Sequence, residues 1–393
     1  MEENRKKPQV RFDGYTDDWE QRKLGDEAIE MVAGGDIDKS LLDEHGKYPV
    51  IANALTDDGI VGYYASDYRI KAPAVTVTGR GDVGHAKART VDFTPVVRLL
   101  SVRSKHDVFF LENAINTLNV IVESTGVPQL TVPQLSQYEI FFPPTITEEK
   151  EIGAFFDRVD NLITLHQRKH NKLVDVKKSM LEKMFPKNGE KKPEIRFCGF
   201  TDDWEQRKVT ELGKIYIGLV TTMTSHYTEH GALLIRNSDI KDSCFEFGTE
   251  PIYLDGDFAK QNASRQHKVG DVITVHTGDI GTSAVITEKE ANSIGFATIV
   301  TRPYKDIITS DYLCTYLNTD THKNFAMNIS TGDGRNNYNL KDYYECVVPV
   351  PCIEEQKRIS ELIINLNNLI TLHQREVEKL KNIKKSMLEK MFI

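Results

Sequence analysis

The chain repeats itself at long range, and this repeat limits what it can fold into. GYTDDWEQRK at 14–23 returns as GFTDDWEQRK at 199–208, with nine of ten positions identical. NLITLHQRKHNKLVDVKKSMLEKMF at 161–185 returns as NLITLHQREVEKLKNIKKSMLEKMF at 368–392. The first pair is offset by 185 positions (199 − 14) and the second by 207 (368 − 161), so the middle of the repeated unit has changed length. A duplicated unit of this size predicts two similar domains rather than a solenoid of short repeats.

The segments between the repeated ends, 24–144 and 209–351, share little sequence. A short echo remains, because TVTGRGDVG at 76–84 corresponds to TVHTGDIG at 274–281. In this alignment the glycine turn of the first block is one residue longer. Constant ends suit assembly and divergent middles suit two different targets. We therefore predict two like scaffolds that carry unlike recognition surfaces.

The repeated ends contain a heptad pattern, in which mostly apolar residues recur at steps of three and four. Such a pattern over about four to five heptads is typical of a coiled coil. We expect the two helices to pair in antiparallel fashion; the alternative is that each packs on its own domain. A helix of about 38 residues would be roughly 57 Å long and would span about seventeen base pairs of DNA. The pattern comprises Ile152, Phe156, Ile163, His166, Leu173 and Met180 in the first helix and Ile359, Ile363, Ile370, His373, Leu380 and Met387 in the second.

Two histidines, His166 and His373, occupy this pattern. We interpret them as hydrogen-bonded packing residues rather than as metal ligands or a switch.

Composition predicts an ordinary globular protein of roughly two to three domains from 393 residues. The charged N-terminal sequence MEENRKKPQVRF is not followed by an apolar segment, so we expect no membrane anchor and a cytoplasmic location. Five cysteines without a CxxC pair are expected to be free thiols. The formal net charge of −8 is unusual for a chain that holds DNA alone. If nucleic acid is the partner, the basic surface must be local or come from another subunit.

Gly79, Gly81 and Gly84 match the GxGxxG pattern of dinucleotide-binding folds. The following residues, HAKARTVDFTPVVRLL, are basic and strand-like, whereas a dinucleotide site needs an apolar helix there. We therefore favour a strand, a glycine turn and a basic tip that approaches DNA. Arg, Asn and Gln form paired hydrogen bonds with base edges, although one such loop residue alone is more often part of an ordinary turn. The candidates for DNA contact are Arg80, His85, Lys87, Arg89 and Gln129 in the first block and Arg236, Asn237, His276, Thr277, Thr282, Ser283, Arg335, Asn336 and Asn337 in the second.

Motifs for catalysis are missing from the sequence. It contains no GxxxxGK[ST] loop for nucleoside triphosphates, no HExxH or clustered His and Cys for zinc, and no NPP-aromatic or DPP-aromatic tetrapeptide of adenine methyltransferases. Glu148 and Lys150 fit half of a nuclease pattern, but no PD motif precedes them. We predict that this chain is not an enzyme by itself and binds no metal or cofactor.

The repeated TDDWEQRK, the PP and PVP boundaries, the EEKEI and EEQKRI helix starts and the KKSMLEKMF helix ends follow this order in both halves. In this organisation the chain resembles the specificity subunits of type I restriction–modification systems over essentially its whole length. The resemblance implies two target recognition domains, each of which reads one half of an asymmetric target in double-stranded DNA. It also implies two modification subunits that dock on the helices and methylate adenine N6 with S-adenosylmethionine. Two restriction subunits, where present, would use ATP and Mg²⁺.

The expected fold class is α+β, with two mixed α/β recognition domains, an antiparallel pair of long helices and a pseudo-twofold internal repeat. The predicted regions are a first recognition domain at 1–145, a first docking helix at 146–190, a second recognition domain at 191–351 and a second docking helix at 352–393. Two other functions stay open, a coiled-coil adaptor and a stand-alone DNA-binding protein without methyltransferase partners. A fused methyltransferase or nuclease is disfavoured by the missing motifs.

Overall fold

The computed structural model describes residues 6–120, 127–187, 189–330 and 337–393. The chain divides into two compact units. Met1–Arg168 and His373–Ile393 form the first unit, and Lys169–Leu372 forms the second. Each unit therefore contains residues from both long helices.

In the described residues of the first unit, nine strands and three short α-helices are followed by the first long helix. They are β1 (Glu20–Lys23), α1 (Leu24–Glu27), β2 (Ala28–Ala33), β3 (Tyr48–Ile51), β4 (Ile60–Tyr64), β5 (Ala74–Thr78), β6 (Ala86–Arg89), β7 (Thr94–Pro95), β8 (Leu99–Ser104), α2 (Val108–Asn116), α3 (Val132–Ser136), β9 (Glu139–Phe142) and α4 (Ile146–Lys183), of which residues up to Arg168 belong to this unit.

The main sheet of the first unit has the strand order β2-β8-β5-β6 and is antiparallel throughout. Its central strand β5, AVTVT, is buried at every position, which suits its β-branched residues. A second sheet, β4-β3-β7, contains a parallel β3–β7 pair, and β1 and β9 form a separate ribbon. Helix α2 is capped at its N-terminus by Asp107, whose carboxylate accepts hydrogen bonds from the backbone N–H groups of Phe109 and Phe110.

The second unit repeats this plan with additional elements. The strands and α-helices of this unit are β10 (Glu205–Lys208), α5 (Val209–Leu212), β11 (Gly213–Ile217), β12 (Tyr227–Thr228), β13 (Ala232–Ile235), β14 (Ile240–Lys241), β15 (Cys244–Phe245), β16 (Tyr253–Leu254), α6 (Gly256–Gln261), β17 (Val272–Thr274), β18 (Ser283–Val285), β19 (Ile294–Gly295), β20 (Ile299–Pro303), α7 (Ser310–Leu317), α8 (Asp320–Ile329), α9 (Leu340–Tyr344), β21 (Val347–Val350) and α10 (Ile353–Met391), as far as the structure describes them. The residues of α10 from His373 belong to the first unit.

The sheets of the second unit have the same connectivity as those of the first. The main sheet runs β11-β20-β17-β18, the smaller sheet contains a parallel β13–β19 pair, and β10 and β21 form the ribbon. The hairpin β14–β15 is an addition that packs on the main sheet, because Phe245 and Phe247 lie against its buried residues. The duplicated sequence therefore corresponds to a duplicated fold.

The end of each long helix completes a core. In the first unit, Phe392 packs with Trp19, Phe110 and Phe156, at ring-centroid distances of 5.4 to 6.2 Å. In the second unit, Phe185 packs with Trp204, Tyr312 and Tyr316 at 5.6 to 6.2 Å. The repeated KKSMLEKMF sequence therefore supplies the same aromatic plug to each unit.

Within the first unit, α4 and α10 run in opposite directions. Lys384 Nζ lies 2.7 and 2.8 Å from the two carboxylate oxygens of Asp160. His166 Nδ1 lies 3.1 Å from His373 Nδ1, so residue numbers rise along one helix as they fall along the other. The predicted α+β class with two long antiparallel helices is confirmed, and the two histidines pack against each other as predicted.

Four of the heptad positions correct the prediction of docking helices. Ile152 and Phe156 belong to the core of the first unit and Ile359 to that of the second, and Ile363 is also buried. A heptad period shows that one face of a helix is covered, but it does not show what covers it. These four side chains therefore cannot meet a partner subunit.

The remaining heptad positions are partly buried. They are Ile163, His166, Leu173, Met180, Ile370, His373, Leu380 and Met387.

Candidate nucleic-acid interface

The glycine turn of the first unit is closed by backbone hydrogen bonds. Thr78 N–H donates to His85 O at 3.0 Å, and Gly84 N–H donates to Thr78 O at 2.9 Å. Gly81 and Gly84 have φ angles of +76° and +87°, a region that favours glycine. Gly81 N–H also donates to the carbonyl of Pro128 at 3.0 Å, which brings a distant loop against the turn.

Two predicted contact residues meet at this turn. Arg80 and Gln129 form an antiparallel bridge, although they are 49 positions apart (129 − 80) in the sequence. Both side chains are exposed. Within the described part of the chain, neither the Arg80 guanidinium nor the Gln129 amide has a hydrogen-bond or ion-pair partner. These two side chains are therefore available to a ligand.

Asn53 fixes the turn from a third loop. Its Oδ1 accepts the N–H of Gly79 at 2.7 Å, and its Nδ2 donates to the carbonyl of Arg80 at 2.8 Å. Asn53 was not among the residues predicted from the sequence. Its signal was available, because VIAN at 50–53 takes the same place as LIRN at 234–237.

The second unit builds the same turn from different residues. Val275 N–H donates to Thr282 O at 2.8 Å, and Gly281 N–H donates to Val275 O at 3.1 Å. Thr78 therefore corresponds to Val275, and the two turns have equal length. The one-residue difference predicted from the sequence is wrong, because repeated glycines allow two alignments and the sheet register selects one.

The matching bridge of the second unit joins Thr277 to Asn337. The Thr277 hydroxyl donates to Asn337 Oδ1 at 3.0 Å, and His276 Nδ1 lies 2.8 Å from Thr277 Oγ1. Burial lowers the pKa of His276, so its imidazole is neutral near pH 7. Asn237 Oδ1 accepts the N–H of His276 at 2.8 Å, as Asn53 does in the first unit.

Two predicted contacts of the second unit are corrected by burial. Thr282 and Ser283 are 1% and 0% exposed. The Ser283 hydroxyl lies 2.8 Å from Thr274 Oγ1, and its backbone is held by the side chain of Asn318. A side chain that reads DNA must reach the surface, so these two residues serve the core.

Other predicted contacts are occupied by intramolecular partners. Arg236 forms a bidentate ion pair with Asp239, in which Nε donates to Oδ2 at 3.0 Å and Nη2 donates to Oδ1 at 2.8 Å. His85 Nε2 lies 3.0 Å from Asp82 Oδ1. Lys87 and Arg89 line a cavity behind the turn rather than its tip. The candidates Arg335 and Asn336 lie outside the described residues.

Arg98 is a second residue at this turn that was not predicted from the sequence. It is exposed and has a φ angle of +78°, which is uncommon for any residue other than glycine. Its carbonyl oxygen would lie 2.3 Å from a Cβ added at Gly79, so its backbone touches the turn beside Arg80. No pattern in VVRLL indicates this contact, because it depends on the pairing of distant strands.

Metal and membrane features are not found in the described ranges. No group of three or more His, Cys, Asp or Glu side chains there could hold a metal ion. No described helix is long and apolar enough to cross a membrane. All five cysteines are free thiols, as predicted.

Two divergent turn-and-loop surfaces on one duplicated scaffold agree with the comparison to known families. The family model of the type I restriction modification DNA specificity domain matches residues 16–174 and 201–382. The chain belongs to this family. Its role is therefore DNA recognition in a type I restriction–modification system, and the predicted DNA-recognition role is confirmed. That role is recognition rather than catalysis, in agreement with the prediction that this chain is not an enzyme by itself.

Known relatives carry the same description. A putative type I specificity subunit of Mycoplasma pneumoniae is 28% identical over 140 residues, which cover 34% of this chain and 38% of that protein. The specificity subunit of the MjaVIII type I restriction enzyme of Methanocaldococcus jannaschii is 22% identical over 401 residues, which cover 95% of this chain and 91% of that protein.

Two solved structures share the fold of this specificity-domain chain. The type I S subunit from M. genitalium matches with a TM-score of 0.67 at 15% identity, covering 98% of this chain and 99% of that one. A structure described in terms of complex assembly and conformational transition of the type I system matches with a TM-score of 0.51 at 17% identity, covering 95% and 97%. At these identities the likeness concerns the fold alone.

Proposed function

We propose that the chain reads a bipartite, asymmetric target in double-stranded DNA, one half with each unit. The pair of matching bridges, Arg80 to Gln129 and Thr277 to Asn337, carries this proposal. The bridges occupy the same place in two copies of one sheet, yet their side chains differ. Like positions with unlike side chains would contact different bases, so the target should not be a palindrome.

In the first unit, Arg80 and Gln129 are the residues that read bases. Arginine pairs with guanine through O6 and N7, and glutamine pairs with adenine through N6 and N7. Both side chains are exposed beside each other on a backbone that Asn53 holds in place. A fixed backbone lowers the entropy cost of placing these side chains in a groove.

In the second unit, Thr277 and Asn337 take this role. The Thr277 hydroxyl engages Asn337 Oδ1, which leaves the Asn337 Nδ2 group as a donor to acceptors such as thymine O4 or a purine N7. The neutral imidazole of His276 lies beside them. This set differs in charge and shape from the arginine and glutamine of the first unit.

Exposed leucines on the two long helices support the proposal that two identical partner subunits bind this chain. Leu162 and Leu165 on α4 are 43% and 46% exposed, and Leu369 and Leu372 on α10 are 43% and 52% exposed. These leucines occupy equivalent positions of the repeat, offset by 207. Exposed leucines that stay identical while the domains diverge suit one kind of partner that binds twice.

The partners we propose are two modification subunits that transfer methyl from S-adenosylmethionine to adenine N6, joined where present by two restriction subunits that use ATP and Mg²⁺. These cofactors would belong to the partners, and this chain would bind none of them. The complex would act in the cytoplasm, where DNA is accessible.

The test of the reading role is methylation mapping. The chain is co-expressed with its modification subunits in a methylation-free host, and N6-methyladenine is mapped by single-molecule sequencing. We expect a gapped, asymmetric motif. The variant R80A/Q129A should relax the motif at each of the two contacted positions of one half by roughly 5- to 150-fold, since a good base contact is worth about 1–3 kcal/mol.

The matched control of this experiment is T277A/N337A, which should relax the other half. Loss of specificity in both halves with either variant would contradict one reader per unit. Methylation without any motif, in a complex that assembles, would support a coiled-coil adaptor instead.

Partner docking is tested separately with L162S/L165S and L369S/L372S. Native mass spectrometry should show that each double variant binds one modification subunit fewer than the unchanged chain. L41S alters a leucine that is 63% exposed and lies outside the two long helices, so this variant should bind the full number of modification subunits. Normal stoichiometry in both helix variants would place the docking surface elsewhere.

A further inference from the structure

A polar cavity of about 380 Å³ lies behind the glycine turn of the first unit. Residues of β5, β6 and α2 line it, with Lys384 from α10. Its volume falls within the range of small-molecule sites. Its charged lining residues are Asp58, Lys87, Arg89, Glu112 and Lys384, the last of which is paired with Asp160, and the Asn113 amide adds unused hydrogen-bonding capacity.

Arg89 is a cation in this cavity without an acidic partner. Its Nε donates to Thr76 Oγ1 at 3.0 Å, and its Nη2 donates to the carbonyl of Asp58 at 2.9 Å. Among the described residues, no carboxylate lies within 4.0 Å of its guanidinium. Arg89 is partly buried, and a cation that is partly removed from water is ordinarily compensated by an anion, because isolated charge is costly to desolvate. This guanidinium therefore favours an anionic ligand.

Helix α2 contributes hydrogen-bond acceptors to the cavity, in contrast to the cation Arg89. Asn113 is 2% exposed, and its Oδ1 accepts no hydrogen bond from the described part of the chain. Glu112 is 5% exposed; one of its oxygens accepts Ala88 N–H at 3.1 Å, and the other is 3.7 Å from Lys87 Nζ. A buried amide oxygen without a donor favours a ligand that carries an N–H group.

The second unit shows that the fold does not require this polar lining. Strand register aligns Thr76 with Ile273 and Lys87 with Ala284, and both residues of the second unit are buried. These residues belong to an apolar cluster on which Phe245 and Phe247 pack. The corresponding positions of α7 carry Cys314 and Thr315 in place of Glu112 and Asn113. The same surface is a closed apolar core in one unit and a polar cavity in the other.

We propose that this cavity binds a nucleotide, with its phosphate at Lys87 and Arg89 and the amino group of its base at Asn113 and Glu112. The nucleotide is either free or displaced from DNA, since the chemistry of the two is the same. The cavity borders the turn that carries Arg80, which places it next to the proposed reading surface. Binding of a nucleotide in this cavity would be additional to the base contacts of Arg80 and Gln129, which do not depend on it.

The experiment uses isothermal titration calorimetry on the full chain. The ligands are AMP, GMP, CMP, UMP, inorganic phosphate, a paired duplex, and the same duplex with one unpaired nucleotide. The variants are K87A and N113T, the second of which installs the residue that the second unit has at this place. K71A, an exposed lysine outside the cavity, is the matched control.

We expect a mononucleotide or the duplex with the unpaired nucleotide to bind, and K87A and N113T each to weaken that binding about tenfold or more. K71A should leave it unchanged. Mononucleotide binding identifies a free ligand, and binding of the unpaired duplex alone identifies a nucleotide displaced from DNA. The proposal fails if neither ligand class distinguishes the unchanged chain from K87A and N113T, or if inorganic phosphate binds as tightly as any nucleotide. Either failure leaves the methylation motif, and hence the reading role, untouched.

Discussion

At the scale of single residues, a buried carboxylate explains why TDDWEQRK occurs twice. Glu148, at the start of α4, accepts hydrogen bonds from Arg11 at 2.6 and 2.9 Å and from the Trp19 indole at 3.3 Å. Glu355, at the start of α10, accepts the same bonds from Arg196 at 2.7 and 2.8 Å and from Trp204 at 3.2 Å. The repeated tryptophan therefore ties each N-terminal segment to a helix.

The first prediction concerns this cluster. Glu148→Ala should reduce the free energy of unfolding of the first unit by about 3–5 kcal/mol, because it leaves the partly buried Arg11 cation without its counter-charge. Hydrogen exchange measured on peptides covering 16–24 and 201–209 should show faster exchange in the first peptide alone. Glu355→Ala is the matched control and should reverse the pattern. Equally faster hydrogen exchange in both peptides would contradict the inference that the Glu148 and Glu355 clusters each stabilise only their own unit.

His106, unlike Glu148, has a role that is not repeated in the second unit. Its Nδ1 lies 2.7 Å from Glu149 and its Nε2 lies 2.9 Å from Glu27. Burial lowers the pKa of His106, but the hydrogen bonds to these two carboxylates outweigh it and the net shift is upward. Hydrogen bonding, chiefly from His106, lowers the pKa of Glu27 to about 2.

The second prediction follows from the sign of these shifts. A raised pKa in the folded state means that protonated His106 stabilises the first unit below its unfolded pKa of about 6.5, and that this contribution is lost as pH rises through the folded pKa. The difference in unfolding free energy between the unchanged chain and His106→Gln should therefore shrink as pH rises from 6 to 9. Denaturant unfolding at several pH values measures it.

The control for this prediction is built into the repeat. The second unit has Leu212, Ile308 and Gln356 at the matching positions, so its hydrogen exchange should not carry this pH dependence. A difference between the unchanged chain and His106→Gln that stays constant across this pH range would contradict the assigned ion pairs. The contribution of Glu27 should be lost in acid, as pH falls below about 4.5 toward 2.

At the scale of elements, the sequence predicts the long helices closely. The repeat predicts helices over 148–185 and 354–392, and they run over Ile146–Lys183 and Ile353–Met391. Periodicity reports local structure, and these helices are long enough to show it clearly. What covers each helix face depends on residues far away in the sequence. For that reason the heptad pattern could not show that Phe156 enters a domain core.

The third prediction concerns the aromatic plug that follows α10. Phe392→Ala should destabilise the first unit by about 3–5 kcal/mol, because it removes a ring packed against Trp19, Phe110 and Phe156. The mirrored variant Phe185→Ala should destabilise the second unit instead. Hydrogen exchange in α2 and in α7 reports on the two units separately. Loss of protection in α7 with Phe392→Ala would contradict the assignment of each plug to one unit.

At the scale of the whole molecule, the candidate site was predicted in kind rather than in detail. The sequence identifies the glycine turns, and the structure brings Arg80 to Gln129 and Thr277 to Asn337. The sequence pattern could not separate the turn tip from the buried strand that follows, because Thr282 and Ser283 look like surface residues until the strand register is known. Contacts between loops that are distant in the sequence depend on long-range strand pairing, which local sequence patterns do not encode.

The last prediction concerns net charge. A chain with 50 Lys and Arg against 58 Asp and Glu offers DNA phosphate no overall excess of positive charge. The ion pairs of Arg236 with Asp239 and of Arg302 with Asp271 also use two guanidinium groups internally. Tight binding should therefore need the partner subunits. By fluorescence anisotropy, the chain alone should bind target DNA no tighter than about 10⁻⁶ M at physiological salt, the range of non-specific binding.

The assembled complex should bind the same DNA at about 10⁻⁸ M or tighter, with a steeper loss of affinity as salt rises from 50 to 200 mM. The steeper slope would arise because each added phosphate contact releases a counterion, and the partners would supply most of those contacts. R80A/Q129A in the complex should weaken specific binding while leaving the salt slope nearly unchanged, since base contacts release few counterions. An equally steep slope for the chain alone would instead place the phosphate-binding surface on this subunit.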